Sequence, residues 1–365
     1  MLRFAPSPTR DFLIEDLKIA LLNYIVAKRR DKKFLVRIED TPKEELIEGR
    51  DTEIMLILEK FGIVHDFLYH QSQHLNIHQN LAIRLLKEGK AYIPNGSKKL
   101  NLKGKDKIKD FTILEENGNP TPIFASACDN ILSGIDFIVR GERLKDRSKK
   151  ERYIQQLLGY GEIEYIHTPP IAKNITVIEL FKEGFIPDAI INYILLESYQ
   201  NPPEEIFYLK DAISWFKVEN ISKEPKEFNI ERLKFLNREH IRLLDEKALS
   251  RFFGFADVNI GKLAKLYLGE CSTLNELNSK IMPIFKPKNF NNSWGGEMRL
   301  LSDIIFNAPP FKKFDEFEGY LIKKSGLSGD NLYKPLRLLL TNSEESPELS
   351  KIYPLIKSYI LEVAS

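Results

Sequence analysis

A short basic segment carries the densest set of side chains that could bind nucleic acid. Six cations stand there against three acidic residues, Glu142, Asp146 and Glu151. The cations are Arg143, Lys145, Arg147, Lys149, Lys150 and Arg152. Lys and Arg neutralise the phosphates of a nucleic-acid backbone, but the same composition is typical of a solvated helix face. Charge alone therefore leaves RNA binding and solvation open, and the same holds for the lysines between 98 and 109.

Four histidines lie close enough in sequence to suggest a metal site: His65, His70, His74 and His78. Their pattern predicts loop and helix-start positions without a carboxylate at ligand spacing, so we predict no metal there. The two cysteines form no CxxC pair and cannot build a disulfide framework. This cysteine usage favours a reducing compartment, which we take to be the cytoplasm.

The elements that position these side chains begin with a strand–helix–strand unit. Positions 2–5 form a short apolar run, positions 17–25 carry apolar residues at helical spacing, and 34–38 is a second apolar run. This order opens a doubly wound sheet of the nucleotide-binding type.

Later segments extend this α/β pattern and then change character. Helical spacing predicts helices over 44–61 and 78–88, whereas 95–119 is rich in Lys, Gly and Asn and is predicted to be an insertion or a loop. Strand character returns at 136–140. From about 211 onward, apolar residues recur three and four apart, which predicts a helical C-terminal domain.

Composition excludes several classes of protein. The 365 residues are 43% hydrophobic and 29% charged, with a net charge of +2, which is ordinary for a globular chain of two or three domains. No run approaches eighteen apolar residues, so we expect neither a membrane span nor a signal peptide.

Two strings at the start of the chain carry a family resemblance. Residues 3–9 read RFAPSPT and 37–41 read RIEDT, which together resemble the opening of bacterial glutamyl-tRNA synthetases. The similarity resumes at 138–142, 184–193 and 228–240. It implies an α/β Rossmann-like class I synthetase catalytic domain followed by an all-α C-terminal domain. The implied parts are a first Rossmann half (1–94), a shortened insertion (95–125), a second half with its connection (126–210) and an anticodon-binding-like domain (211–365).

The resemblance also implies that the ATP site is lost. Where the family has its HIGH-type signature, which holds phosphate at a helix N-terminus, this chain has Leu13, Ile14, Glu15 and Asp16. Two carboxylates would repel a triphosphate there. The KMSKS-type loop expected between 167 and 184 is deleted, with Lys173 as its basic remnant. We therefore expect no ATP cofactor and assign no catalytic residue.

The amino-acid pocket is less changed. By resemblance, Arg140 matches the arginine that pairs with the side-chain carboxylate of glutamate in the family, while Pro122 replaces a pocket tyrosine. The pocket positions are Arg3, Ala5, Ser7, Glu39, Ser126 and Arg140. Two interpretations stay open: a vestigial ion-pair network, or a pocket that still holds glutamate. We expect Arg140 to be buried at a strand end beside an acidic side chain, Glu39 being the first candidate.

The function predicted from these departures is that of a degenerate, shortened paralogue of glutamyl-tRNA synthetase. Such a pseudoenzyme would bind tRNA, a synthetase or another protein, with the segment 143–152 as the candidate RNA contact. The alternative is a diverged but active glutamate–tRNA ligase or a related aminoacyl transferase. The sequence leaves the oligomeric state open.

Overall fold

The computed structural model describes residues 1–41 and 45–365 and divides into two compact units. The first, here the α/β unit, comprises residues 1–181 and 187–230. The second, here the helical unit, comprises residues 182–186 and 231–365. In the described residues no helix is both long and apolar enough to cross a membrane.

The α/β unit alternates strands and helices. Its strands are β1 (Leu2–Phe4), β2 (Phe34–Ile38), β3 (Phe67–His70), β4 (Ala91–Tyr92), β5 (Leu100–Leu102), β6 (Phe111–Leu114), β7 (Phe137–Gly141), β8 (Glu164–Thr168), β9 (Ile171–Ala172) and β10 (Lys226–Glu227). Its helices are α1 (Ile14–Arg29), α2 (Arg50–Lys60), α3 (Leu75–Lys87), α4 (Pro122–Leu132), α5 (Lys145–Leu157), α6 (Val177–Lys182), α7 (Pro187–Ser198) and α8 (Leu209–Trp215).

Two groups of parallel strands form the base of the site. Strands β1, β2 and β3 pair in that order, and β7 pairs with β8. The side-chain amide of Asn23 on α1 binds both backbone groups of Val139, at 2.7 and 2.9 Å, and the N–H of Asp136 donates to the Met1 carbonyl at 3.2 Å. These bonds hold β7 beside β1, so the carboxyl ends of both groups meet at one edge.

Of the two alternatives predicted for 95–119, an insertion or a loop, the loop is wrong in part, because this segment contains β5 and β6. With β4 they form a three-stranded antiparallel sheet. Leu100, Leu102 and Ile113 are buried against residues of α3 and α4. These inward positions are few, and the many Lys, Gly and Asn residues between them obscured the alternation.

The helical unit confirms the predicted all-helical C-terminal part, since residues 231–365, all of them described, contain helices and no strand. The helices are α9 (Ile230–Leu243), α10 (Glu246–Arg251), α11 (Val258–Leu266), α12 (Leu274–Ile281), α13 (Gly295–Phe306), α14 (Phe314–Ser325), α15 (Asp330–Thr341), α16 (Leu349–Ile356) and α17 (Ile360–Val363). Leu233, Leu236 and Leu263 are fully buried in it. Their three- and four-residue spacing is the signal that predicted this unit.

The short segment 182–186 belongs to the helical unit because α9 holds it. Asn237 accepts a hydrogen bond from the Ile186 N–H at 2.8 Å and donates to the Ser272 carbonyl at 2.6 Å. Gly184 has a φ of +87°, and a Cβ there would lie 2.7 Å from the Asn275 backbone nitrogen, so the position requires glycine.

The compact units divide the chain at a different point from the predicted boundary at 211. Helix α8 packs against α1 and β10 pairs with β9, and residues up to 230 belong to the α/β unit.

Candidate functional site

A cavity of about 250 Å³ opens where β1, β2 and β7 end. Five of the predicted pocket residues line it: Arg3, Ala5, Ser7, Glu39 and Arg140. Parallel strands present their carboxyl ends at one edge of a sheet, which is why residues so far apart in sequence meet. The Ser7 hydroxyl donates to the Glu39 carbonyl at 2.9 Å and ties the β1 and β2 ends together.

Arg3 is 5% exposed and only partly bonded. Its Nε donates to Asn130 Oδ1 at 2.8 Å, while its Nη2 finds no hydrogen-bond partner in the described part of the chain. Burial and the nearby guanidiniums of Arg37 and Arg140 lower the pKa of Arg3 to about 9. The cavity wall thus contains a cation with a donor nitrogen, Nη2, for which the described residues offer no acceptor.

Arg140 is buried at a strand end, as expected, but the predicted partner Glu39 is wrong. The Arg140 Nη1 donates to Glu151 Oε2 at 2.8 Å and to the Ser148 hydroxyl at 3.3 Å. Glu151 lies on α5, the helix that follows β7, and this proximity brings it to the end of that strand.

Glu39 is instead bound by Arg37, whose Nη2 donates to Glu39 Oε1 at 2.8 Å. The two residues are two apart on β2 and its continuation, so their side chains share one face. Burial alone would raise the pKa of Glu39, but Arg147, Arg37 and Arg3 outweigh it and lower that pKa.

Glu151 is the most strongly held carboxylate of the site. Besides Arg140, it accepts from Arg147 Nε at 2.8 Å and from the Tyr165 hydroxyl at 3.1 Å. Burial opposes ionisation, yet Arg140, Arg147 and Arg3 lower the pKa of Glu151 to about 2. Arg140 is therefore already neutralised by a carboxylate of the protein itself.

This low pKa predicts a loss of stability in acid. Since the folded-state pKa of Glu151 is below its ordinary value of 4.5, the stabilisation is present above about pH 4.5 and is lost as pH falls toward 2. The contribution is on the order of 3 kcal/mol. Urea unfolding at pH 7 and pH 3 should show a smaller pH-dependent loss for Glu151→Gln than for the wild type. An equal pH-dependent loss of stability in the wild type and in Glu151→Gln would contradict the low pKa of Glu151.

Behind the residues that line the cavity lies a buried group that the sequence did not single out as part of the site. Arg37 is completely buried and donates to Asn130 Oδ1 at 3.0 Å and to Ser126 Oγ at 3.0 Å. Ser126, predicted as a pocket residue, is itself fully buried and supports Arg37. The two-residue spacing of Arg37 and Glu39, and the four-residue spacing of Arg147 and Glu151, were the available signals.

The start of α1 is closed by bonds within the protein. Asp16 accepts from the Leu13 N–H at 2.9 Å and from both Nη atoms of Arg10, at 2.7 and 2.8 Å. The Ile14 N–H donates to the Ile175 carbonyl at 3.0 Å. Asp16 thus caps the helix, and α1 is joined to the segment before α6.

Glu15 and Lys18 fasten α1 to the chain that follows β8. Glu15 accepts a hydrogen bond from the Ile171 N–H at 3.0 Å and lies 3.5 Å from Lys18 Nζ. Lys18 is 2% exposed and donates to the Pro169 carbonyl. Burial raises the pKa of Glu15 and lowers that of Lys18, while each partner opposes the other's shift. Lys173, the predicted basic remnant, lies 5.7 Å from the Phe228 ring centroid.

The basic segment is less available to RNA than its composition predicted. Arg147 pairs with Glu151 and lines the cavity, so it is not a free surface cation. Arg152 lies over the Tyr165 ring and Lys150 over the Phe111 ring. Two exposed lysines pair with neighbours, Lys145 with Glu142 and Lys149 with Asp146. Arg143 is exposed at the cavity rim.

The histidine prediction is wrong on one point, since a carboxylate does lie beside three of the four: His70 Nδ1 lies 3.4 Å from Asp40 Oδ2, and Asp129 lies beside His74 and His78. Asp129 Oδ1 lies 2.9 Å from His74 Nδ1 and 2.8 Å from His78 Nε2. Asp129 is more than fifty positions away in sequence and reaches them through the packing of α4 on α3. Sequence spacing could not reveal this proximity.

Known proteins with sequences similar to this chain were found both by a family model and among curated relatives. The family model for the catalytic domain of class I tRNA synthetases (E and Q) matches residues 1–103. Glutamate–tRNA ligase 2 of a Sulfurovum species is 48% identical over 429 aligned positions that cover 100% of both chains. Glutamate–tRNA ligase 1 of a Nitratiruptor species is 38% identical, again over 100% of both chains. The alignment with the Sulfurovum protein exceeds the 365 residues of this chain, so that relative contains residues with no counterpart here.

Solved structures show the same fold. The crystal structure of a glutamate tRNA ligase from Elizabethkingia meningosepticum in complex with its amino acid superposes with a TM-score of 0.77 at 18% identity, covering 99% of this chain and 97% of that one. The enzyme from Elizabethkingia anophelis gives 0.76 at 19% identity, covering 99% and 98%. Together with full-length identities of 48% and 38%, these findings show that the chain belongs to the glutamyl-tRNA synthetase family.

Proposed function

We propose that this chain is a tRNA-binding member of its family that does not activate glutamate with ATP. One observation carries the proposal: three of the four N–H groups in the first turn of α1 are already used within the protein. Ile14 donates to Ile175, and Asp16 and Leu17 both donate to the Leu13 carbonyl. A helix N-terminus binds phosphate through free N–H groups and its dipole; here three of those N–H groups have acceptors, and Glu15 and Asp16 already place negative charge at the positive end of the dipole.

The charges beside α1 support the same conclusion. Glu15 and Asp16 put two carboxylates at the position where the family resemblance places a triphosphate, and neither is a loose surface group. Glu15 accepts a hydrogen bond from the Ile171 N–H, and Asp16 accepts one from the Leu13 N–H. Binding ATP there would break these bonds and also bring like charges together.

The amino-acid pocket supports a structural role more than a binding role. Glu151 gives Arg140 the carboxylate partner that the resemblance assigns to the substrate. A free glutamate would have to displace a buried pair that two further donors, Arg147 and Tyr165, stabilise. We therefore favour the ion-pair network over a live glutamate site.

The second candidate, an active glutamate–tRNA ligase, is favoured by Arg3. Its Nη2 lies in a cavity wall without a partner in the described chain, as expected of a group that waits for an anionic ligand. The relatives' printed names point the same way. ATP–pyrophosphate exchange separates the two candidates.

Binding of tRNA should depend on the exposed cations beside the cavity. Changing Arg143, Lys145 and Lys149 to Ala together should weaken the binding of whole tRNAs of every sequence alike. Phosphate contacts position the nucleic acid but do not distinguish its sequence. The log–log slope of affinity against salt should flatten by about 0.9 for each phosphate that the variant no longer neutralises. Gel shifts at two salt concentrations measure both effects.

A matched triple variant controls for the change in net charge. Lys28, Arg29 and Lys33 are exposed near the end of α1 and the start of β2, the sheet edge opposite the cavity. Their replacement by Ala should leave the slope unchanged. If tRNA binds no tighter than non-specific contact, about 10⁻⁴ to 10⁻⁶ M, the RNA proposal fails and a protein partner such as a synthetase takes its place. We place this function in the cytoplasm, consistent with two buried cysteines that form no disulfide.

A further inference from the structure

We infer that His74, His78 and Asp129 form a binding site for a divalent transition metal of the Zn²⁺ class. The three residues come from the turn before α3, from α3 and from α4. Their candidate ligand atoms, His74 Nδ1, His78 Nε2 and a carboxylate oxygen of Asp129, all lie within 4.8 Å of one another. The site is separate from the residues that line the cavity.

The shape of the cluster suits a metal ion. Both imidazole nitrogens converge on the same oxygen, Oδ1, at 2.9 and 2.8 Å. His78 and Asp129 are fully buried, whereas the His74 side chain is 26% exposed and offers an entry path. Two imidazoles and one carboxylate are a usual ligand set for zinc, with a fourth position left to solvent.

A second layer of contacts holds the carboxylate in place. Gln71 Nε2 donates to the other oxygen, Asp129 Oδ2, at 2.7 Å. Arg37 Nε lies 3.9 Å from the same oxygen. Carboxylate ligands are typically oriented by such bonds, so Oδ1 is left free to face the histidines. The charge of Arg37 opposes a second cation nearby, which limits the affinity of the site.

The ligand chemistry selects the kind of ion. Imidazole nitrogens favour Zn²⁺, Co²⁺ and Ni²⁺ over Mg²⁺ or Ca²⁺, which prefer oxygen ligands. A bound ion would join α3 to α4. Asn130, the next residue on α4, bonds both Arg3 and Arg37, so the ion would also stiffen the support of Arg3 in the cavity wall.

The test uses the full chain, stripped of metal with a chelator and titrated with Zn²⁺ in a calorimeter. We expect one Zn²⁺ per chain in the wild type, with no competition from Mg²⁺. The variant His74→Gln should lower Zn²⁺ affinity on the order of tenfold or more, because an amide can still donate to Asp129 but is a poor zinc ligand. Co²⁺ titration should give the visible absorption of a tetrahedral site in the wild type only.

Two controls make the result decisive. His65→Ala removes a histidine outside the three, and it should bind Zn²⁺ as the wild type does. Circular dichroism without metal should show that His74→Gln is folded; if it is not, His74→Ala serves as the second variant. Equal Zn²⁺ affinity in wild type and the folded His74 variant, or no Zn²⁺ binding at all, would overturn the inference and leave a carboxylate satisfied by hydrogen bonds alone.

Discussion

We expect Arg140→Ala to lower the free energy of unfolding by about 3–5 kcal/mol, because it removes one partner of a buried ion pair. Arg140 and Glu151 are 5% and 0% exposed. Without Arg140, Glu151 keeps Arg147 and the Tyr165 hydroxyl but loses a charge-assisted bond of 2.8 Å. Urea unfolding at pH 7 measures the difference.

Arg143→Ala is the matched control for this prediction. Arg143 is exposed and lies at the rim of the same cavity, so its loss should change stability by less than about 0.5 kcal/mol. The double variant Arg140→Ala with Glu151→Ala should cost less than the sum of the two single changes, since the buried charges are removed together. Equal stabilities of the Arg140 and Arg143 variants would show that the pair is not structural.

We expect the chain to be inactive in glutamate activation. The loss of rate should exceed the loss that removal of a single stabilising donor causes in an active enzyme. Adenylation places charge on the α-phosphate, and removing one stabilising donor typically costs about 10²- to 10³-fold. Here the first turn of α1 is bonded to Ile175 and Ile171, and the basic remnant Lys173 lies against Phe228. Restoring one signature alone should not rescue activity, because such groups act as a unit.

Much of the fold followed from local sequence. The apolar runs at β1 and β2 and the helical spacing at Leu233 and Leu236 are strong periodic signals, because one face or the whole element is buried. Strands β5 and β6 were missed since the polar residues of the segment around these short strands outnumber their apolar ones. Short elements of this kind depend on neighbours distant in sequence for their burial.

The sequence predicted residues that line the site, but not which of them form ion pairs with one another. The pocket residues converge because parallel strands end together, which the strand pattern implies. That Arg140 binds Glu151, and that Arg147 turns inward rather than toward solvent, depends on where α5 lies after β7. Asp129 reached His74 and His78 for the same reason, through helix packing that no spacing rule encodes.

ATP–pyrophosphate exchange with glutamate tests the central claim most directly. The full chain is assayed with and without tRNA, because the family usually needs tRNA for this step, beside an active glutamate–tRNA ligase of the same family as a positive control. We predict no exchange above background in either condition while the control is active. Glutamate-dependent exchange by this chain, with tRNA present, would contradict the proposal and establish an active ligase.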